Sequence, residues 1–142
     1  MKVFGNFLEN LELHDKGSKL ELGNEEGTIL YVRRANHNWD KALKDCKMHL
    51  FGVYYSEHTL TTDQRQQAVA LAISEYLVAG WENLIDEETG IEVKYSKPNS
   101  ASVFGNPELY LSLNFFILNH ANSHENYLYE KLEEDKEALK KP

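Results

Sequence analysis

Apolar residues recur along this chain with two different periods. Leu20-Glu21-Leu22 alternates, Gly23-Asn24-Glu25-Glu26-Gly27 is turn chemistry, and Thr28-Ile29-Leu30-Tyr31-Val32 is rich in β-branched and aromatic residues. Two such runs around a Gly-containing loop predict a β-hairpin, and the first third of the chain reads as extended structure. A hairpin alone is marginal in water, so it must pack on helices. From Trp39 to Leu50 the period changes: Trp39, Ala42, Leu43, Cys46 and Leu50 step by three and four and share one helical face. Asn38 is the N-cap this pattern suggests, and Phe51-Gly52 ends the helix.

The strongest helical signal runs from about Thr62 to Leu84. Thr61 and Gln64 have capping-box spacing, and Ala68, Val69, Leu71, Ala72, Ile73, Tyr76, Leu77, Val78 and Trp81 form a broad apolar surface. A surface that wide implies burial on more than one side, hence a central helix. Asp86-Glu87-Glu88-Thr89-Gly90 reads as a turn and Ile91–Tyr95 as a short extended segment. Ser96 is placed to cap a short helix with Pro98 in its first turn, and Asn106-Pro107-Glu108 opens another. That last helix carries Leu109, Leu113, Phe116, Ile117 and Leu118, and either runs through His120 toward Tyr127 or breaks at Asn122-Ser123. The expected fold is mainly α: a small helical domain with an N-terminal β-hairpin, spanning residues 1–129, followed by a charged C-terminal tail, 130–142.

Composition sharpens this picture. At 142 residues the chain holds one domain, and 42% hydrophobic and 11% aromatic residues suffice for a sizeable core. The net charge is −8, with −4 over residues 61–106 and −3 over 107–142. An acidic domain repels phosphate backbones, so nonspecific nucleic-acid binding is not expected. One cysteine excludes an intramolecular disulfide and a Cys-rich zinc site. No apolar run reaches the ~18–20 residues of a membrane span, and Met1–Asn6 lacks a signal peptide's apolar core. A cytoplasmic location without membrane attachment is the expectation.

Candidate chemistry is sparse. No Gly-rich phosphate loop, zinc-protease motif or serine-nucleophile elbow occurs. Cys46 and His49 have the spacing of a thiolate pair, but Cys46 lies on the apolar face, where an inert thiol is expected. His120 and His124 have the spacing of two helical metal ligands without an evident third. Asp86-Glu87-Glu88 lacks calcium-loop spacing and reads as a solvated turn. Arg33-Arg34, the only adjacent basic pair before Lys140, follows a strand; ion pairing with the chain's own acid or with a neighbouring subunit is the preferred reading over an anion site. Trp81 reads as a core residue, although aromatics at helix ends also anchor interfaces.

Several of these stretches together resemble the tail assembly chaperones of long-tailed bacteriophages. They are Ile29-Leu30-Tyr31-Val32-Arg33-Arg34-Ala35-Asn36-His37-Asn38-Trp39, Gly80-Trp81-Glu82-Asn83-Leu84-Ile85-Asp86, Gly90–Ser96 and Pro98-Asn99-Ser100-Ala101. The resemblance covers roughly residues 20–130 and departs at Val53-Tyr54-Tyr55 and after Tyr129. It implies a mostly helical protein that is not an enzyme and carries no cofactor or metal. Such a protein binds and solubilises the aggregation-prone tape measure protein, promotes tail tube assembly and self-associates as a homo-oligomer. It also implies a frameshifted longer product that recruits the tail tube protein; the closing Lys140-Lys141 pair, necessarily A-rich in codons, suits a slippery site. On this reading Arg33, Arg34, Asn36, Trp39, Trp81 and Phe116 are the candidate partner or self-association residues. The alternatives are a small acidic metal-dependent enzyme or regulator built on Cys46, His49, His120 and His124, and an acidic inhibitor protein that mimics nucleic acid.

Overall fold

The structure, a computed structural model, describes residues 4–52 and 59–129. Val53-Tyr54-Tyr55 and the charged segment from Glu130 onward lie outside the described residues.

The expected hairpin forms. Strand β1 (Ser18–Glu21) pairs antiparallel with β2 (Ile29–Val32), with Leu20 opposite Leu30 and Ser18 opposite Val32. These four residues are buried on one face, as the period of two requires. The preceding stretch, however, is not extended. A short helix α1 (Leu11–Lys16) follows Asn10, whose Oδ1 accepts from the Glu12 amide at 2.9 Å. This stretch has too few apolar positions for a helical period, so capping is its main local signal. Gly17 ends α1 at φ 92, and a Cβ there would lie 2.7 Å from the backbone of Tyr31 and of Val32, so β2 passes where only glycine fits.

Helix α2 (His37–Phe51) starts earlier than the pattern suggests. Its N-cap is Asn36, whose Oδ1 accepts from the Asn38 amide at 3.0 Å, and Gly52 closes it in the left-handed region. Helix α3 (Thr62–Ala72) opens with the predicted capping box: Gln64 N–H donates to Thr61 Oγ1 at 3.1 Å and Thr61 N–H to Gln64 Oε1 at 2.9 Å.

The predicted helix to Leu84 does not persist. After Ala72 the chain makes one π-helical turn (Ile73–Leu77) and becomes strand β3 (Val78–Glu82), which adds to the free edge of β2. The resulting antiparallel sheet has the order β1-β2-β3. The helix end is drawn off by outside donors. Ser100 Oγ donates to the Ser74 carbonyl at 2.6 Å, the Arg33 guanidinium to that of Tyr76 at 2.6 Å, and the Arg33 amide to that of Leu77 at 2.8 Å. Val78 N–H reaches back five residues to Ile73 instead. A π turn at a site of competing hydrogen bonds follows.

The acidic turn forms as predicted: Gly90 N–H donates to the Asp86 carbonyl at 2.7 Å. Beyond it, Ile91–Tyr95 contributes only an isolated bridge between Ile85 and Glu92. Helix α4 (Lys97–Phe104) is capped by Ser96, and α5 (Pro107–Asn122) by Asn106. Helix α5 breaks at Ser123, and a 3-10 turn (His124–Tyr127) brings Tyr127 back against β2. There its hydroxyl donates to the carbonyls of Val32 at 2.8 Å and Arg33 at 3.0 Å. Leu30 and Val32, Trp39 and Cys46, Ala72, Ile73 and Leu77, Val78 and Trp81, Phe104, Ile117 and Ala121 form one cluster of buried side chains. The fold is therefore mixed α/β: among the described residues it has five helices and a three-stranded sheet, and α2–α5 and the three strands supply that core.

Candidate partner-binding surface

Five of the six residues singled out in the sequence are engaged inside the fold. The Trp81 ring is 8% exposed, packs edge-on to Tyr95 at 5.1 Å, and donates its Nε1–H to the Val93 carbonyl at 2.7 Å. Trp39 is buried in the core. Asn36 caps α2, and its Oδ1 also accepts from the Tyr76 hydroxyl at 3.3 Å. Arg33 spans from the Asp15 carbonyl at 2.8 Å to that of Tyr76, with its guanidinium 5.5 Å above the Tyr76 ring. Arg34 donates to Glu9 Oε1 at 2.9 Å and to the Ala121 carbonyl at 2.8 Å, and lies 5.5 Å above the Tyr127 ring. These two arginines fasten the N-terminal segment, α3's end and α5's end to one another. Phe116 alone is outward-facing, at 47% exposure; the inward side of α5 is Asn114, Ile117 and Ala121.

Around Tyr127 the polar groups are mutually satisfied. His14 and His120 both meet its ring edge-on, Ser18 Oγ and His120 Nε2 share a hydrogen bond of 2.6 Å, and Glu9 Oε1 also meets His14 Nε2 at 3.2 Å. Burial opposes ionisation of Glu9, but hydrogen bonds and charge from Arg34, with His14, outweigh it and hold the carboxyl below its ordinary value. Burial pushes the Tyr127 hydroxyl well up.

The nucleophile and metal candidates are not assembled. Cys46 is buried; burial first, then the charge of Glu75 and the thiol's 3.6 Å hydrogen bond to it, push its pKa up to about 12. A thiol held that high is not a thiolate near neutrality. Among the described residues no group of three or more His, Cys, Asp or Glu is placed to hold a metal ion.

The fold also leaves large apolar side chains outside. Near the N-terminus Phe4, Phe7, Leu8 and Leu11 are all exposed, and Leu8 lies beside exposed Tyr129, whose amide donates to the Leu8 carbonyl at 3.4 Å. On the opposite run of chain, α3 and α5 diverge around an open groove of about 190 Å³ whose apolar walls are Val69, Ala70, Leu118 and the 56%-exposed Phe115. Asn114 also lines it, 5% exposed, and its Oδ1 has no hydrogen-bond partner. Sequence reasoning passed over Asn114 and Phe115. The available signal was one amide inside the apolar run Leu113–Leu118, a polar residue that burial makes expensive unless something pairs with it.

Residues 36–141 match the YdaY prophage protein family. The chain belongs to the YdaY prophage protein family. No curated protein and no solved structure matches the chain. The matched stretch of this prophage family member begins at the N-cap of α2, and it contains both walls of the α3–α5 groove; the hairpin and the arginine pair precede it. No helix among the described residues is long and apolar enough to cross a membrane.

Proposed function

We propose that this prophage protein is a non-enzymatic tail assembly chaperone: it binds the tape measure protein, keeps it soluble in the host cytoplasm while tail tube subunits assemble, and self-associates. The observation that carries the reading is the pairing of a strongly acidic chain with large apolar side chains left outside the core at Phe4, Phe7, Leu8, Leu11, Phe115 and Phe116. Exposed apolar side chains are what a protein-binding surface requires, and net charge keeps a protein that carries them in solution. Prophage family membership and the pattern shared with tail assembly chaperones support the same reading. In mechanism, apolar stripes of the tape measure helices dock on the exposed aromatics, and the acidic surround keeps the complex in solution until tube subunits displace it.

The deciding experiment is co-expression with the tape measure protein of the same prophage. A soluble complex that survives purification is the expected result. A tape measure protein that stays insoluble, with the chaperone recovered alone, would overturn the assignment.

A further inference from the structure

Strand β2 is paired on both sides, so the sheet has two edges, β1 and β3. The β3 edge is flanked by the segment Val93–Tyr95: the Trp81 indole donates to the Val93 carbonyl at 2.7 Å, and the Tyr95 hydroxyl to that of Val78 at 3.5 Å. The β1 edge is open, and the ladder fixes which of its main-chain groups face outward. Leu22 N–H donates to the Thr28 carbonyl at 3.1 Å. Alternation then turns the N–H and C=O of Leu20 and Ser18 toward β2, and those of Lys19 and Glu21 away from the sheet. Among the described residues these outward groups have no hydrogen-bond partner.

Such an edge is a template for another strand, and proteins commonly blunt it with an isolated charge, Lys above all. In β1 the Lys is not isolated. Lys19 and Glu21 lie on the same face of the sheet, with Nζ and Oε1 3.7 Å apart.

Their order makes the strand complementary to its own antiparallel copy. About a two-fold axis at Leu20, Lys19 of each copy stands opposite Glu21 of the other. These two residues carry the outward main-chain groups, so each such pair also exchanges two hydrogen bonds. The neighbouring registers that keep the hydrogen bonds place Lys19 opposite Lys19, or Glu21 opposite Glu21, and like charges directly opposite are destabilising. One register is therefore specified. A two-fold axis perpendicular to the sheet also keeps both core-facing sides on the same side, with Leu20 meeting Leu20 at the seam. The product is one continuous sheet of order β3-β2-β1-β1-β2-β3.

We propose that β1 is a self-association edge: two copies of this chain pair their Ser18–Glu21 strands antiparallel, Lys19 of each opposite Glu21 of the other. That the chain self-associates belongs to the functional reading above; where it does so rests on the edge. A seam of one short strand falls below the ~1,200–2,000 Å² of a stable interface, so the dimer is weak, with a Kd of roughly 0.1 mM.

Sedimentation equilibrium and amide hydrogen exchange on the full chain, from about 10 μM to about 1 mM, test the proposal. The mass should rise toward that of a dimer, and the Lys19 and Glu21 amides should gain protection with it. The Ser18 and Leu20 amides, already turned toward β2, should not change. Lys19→Glu and Glu21→Lys each set like charges opposite one another and should weaken association about tenfold. Mixing the two variants sets acid against base and should restore it, which also shows that both fold. Association that leaves the Lys19 and Glu21 amides unprotected, or variants that do not recover association on mixing, would overturn the β1 edge and leave self-association standing. A chain monomeric to about 1 mM would overturn both. Co-expression decides tape measure binding separately, so failure there leaves the edge untouched.

Discussion

Ser100 donates its hydroxyl hydrogen to the Ser74 carbonyl at 2.6 Å, and both residues are fully buried. The contact joins α4 to the point where α3 stops being an α-helix. It occupies a carbonyl that a continuing helix would give to Val78 N–H, and Val78 is the first residue of the strand that completes the sheet. Ser100→Ala should therefore cost about 1–3 kcal/mol, the range for leaving a buried acceptor unsatisfied. Urea denaturation followed by circular dichroism measures it. A change within about 0.5 kcal/mol, as for an ordinary surface substitution, would mean that the helix end does not depend on this bond.

Trp81 presents both a large ring and a hydrogen bond to the core. Trp81→Ala should destabilise by ~3–5 kcal/mol through lost burial and the cavity left behind. Trp81→Phe keeps most of the ring contact with Tyr95 and Phe104 but leaves the Val93 carbonyl without its donor, and should cost about 1–3 kcal/mol. Equal losses for the two variants in chemical denaturation would show that the indole N–H, not the ring, dominates.

These residues also show what was readable in the chain beforehand. The hairpin, the Thr61–Gln64 box and the caps at Ser96 and Asn106 were legible because each depends on residues a few positions apart. The strand Val78–Glu82 was not. Its apolar residues continue the spacing of α3, and only the unpaired edge of β2, with Arg33 and Ser100 taking helix carbonyls, turns it into a strand. Such a choice is made by partners 26 to 43 residues away, beyond any local pattern. The candidate site divides in the same way. Phe116 was found from apolar spacing, whereas the groove beside it depends on how far α3 and α5 stand apart. The arginine pair was visible as charge, but its carbonyl acceptors on three separate elements were not.

Cys46 should be inert in the folded protein. With its thiol pushed up to about 12, reaction with a disulfide reagent at pH 8 should be slow in buffer and fast in denaturant. The linkage has a definite sign. The folded state favours the neutral thiol, so this contribution to stability is complete below the unfolded value of about 9.0 and is lost as pH rises from there toward about 12. Cys46→Ala should flatten the stability profile across that window. An unchanged slope would show that Cys46 is not the group responsible.

Arg34 and Glu9 test whether the arginine pair is structural. Glu9 titrates below its ordinary value because Arg34 and His14 outweigh its burial, so the pair stabilises the fold above the unfolded value near 4.5 and is lost as pH falls below it. The Asn10 amide, which donates to the Tyr127 carbonyl at 2.6 Å, reports the same segment. Its exchange protection should fall on acidification, and Glu9→Gln should weaken that protection at pH 7 and remove most of its pH dependence. Arg34→Ala should lower thermal stability as well, since it removes the charged donor shared by Glu9 and the Ala121 carbonyl and leaves them only His14 and the Ala35 amide. An Arg34→Ala protein of unchanged stability would instead return this residue to the partner-binding surface.

The salt response of the tape measure complex separates apolar docking from simple charge attraction. An interface held by surface ion pairs weakens steeply as the screening length shrinks from ~10 Å at 0.1 M salt to ~3 Å at 1 M. An interface built on Phe7, Leu11 and Phe115 buries apolar area, which salt does not screen. The complex should therefore persist from 0.1 to 1 M sodium chloride, with only its association rate falling as steering is lost. Phe115→Ser should weaken it markedly while leaving the free chain's stability within about 0.5 kcal/mol, because an exposed ring contributes little to the fold. Dissociation of the unaltered complex by salt alone, with Phe115→Ser binding as well as the original, would mean that the acidic surface rather than the exposed aromatics holds the partner.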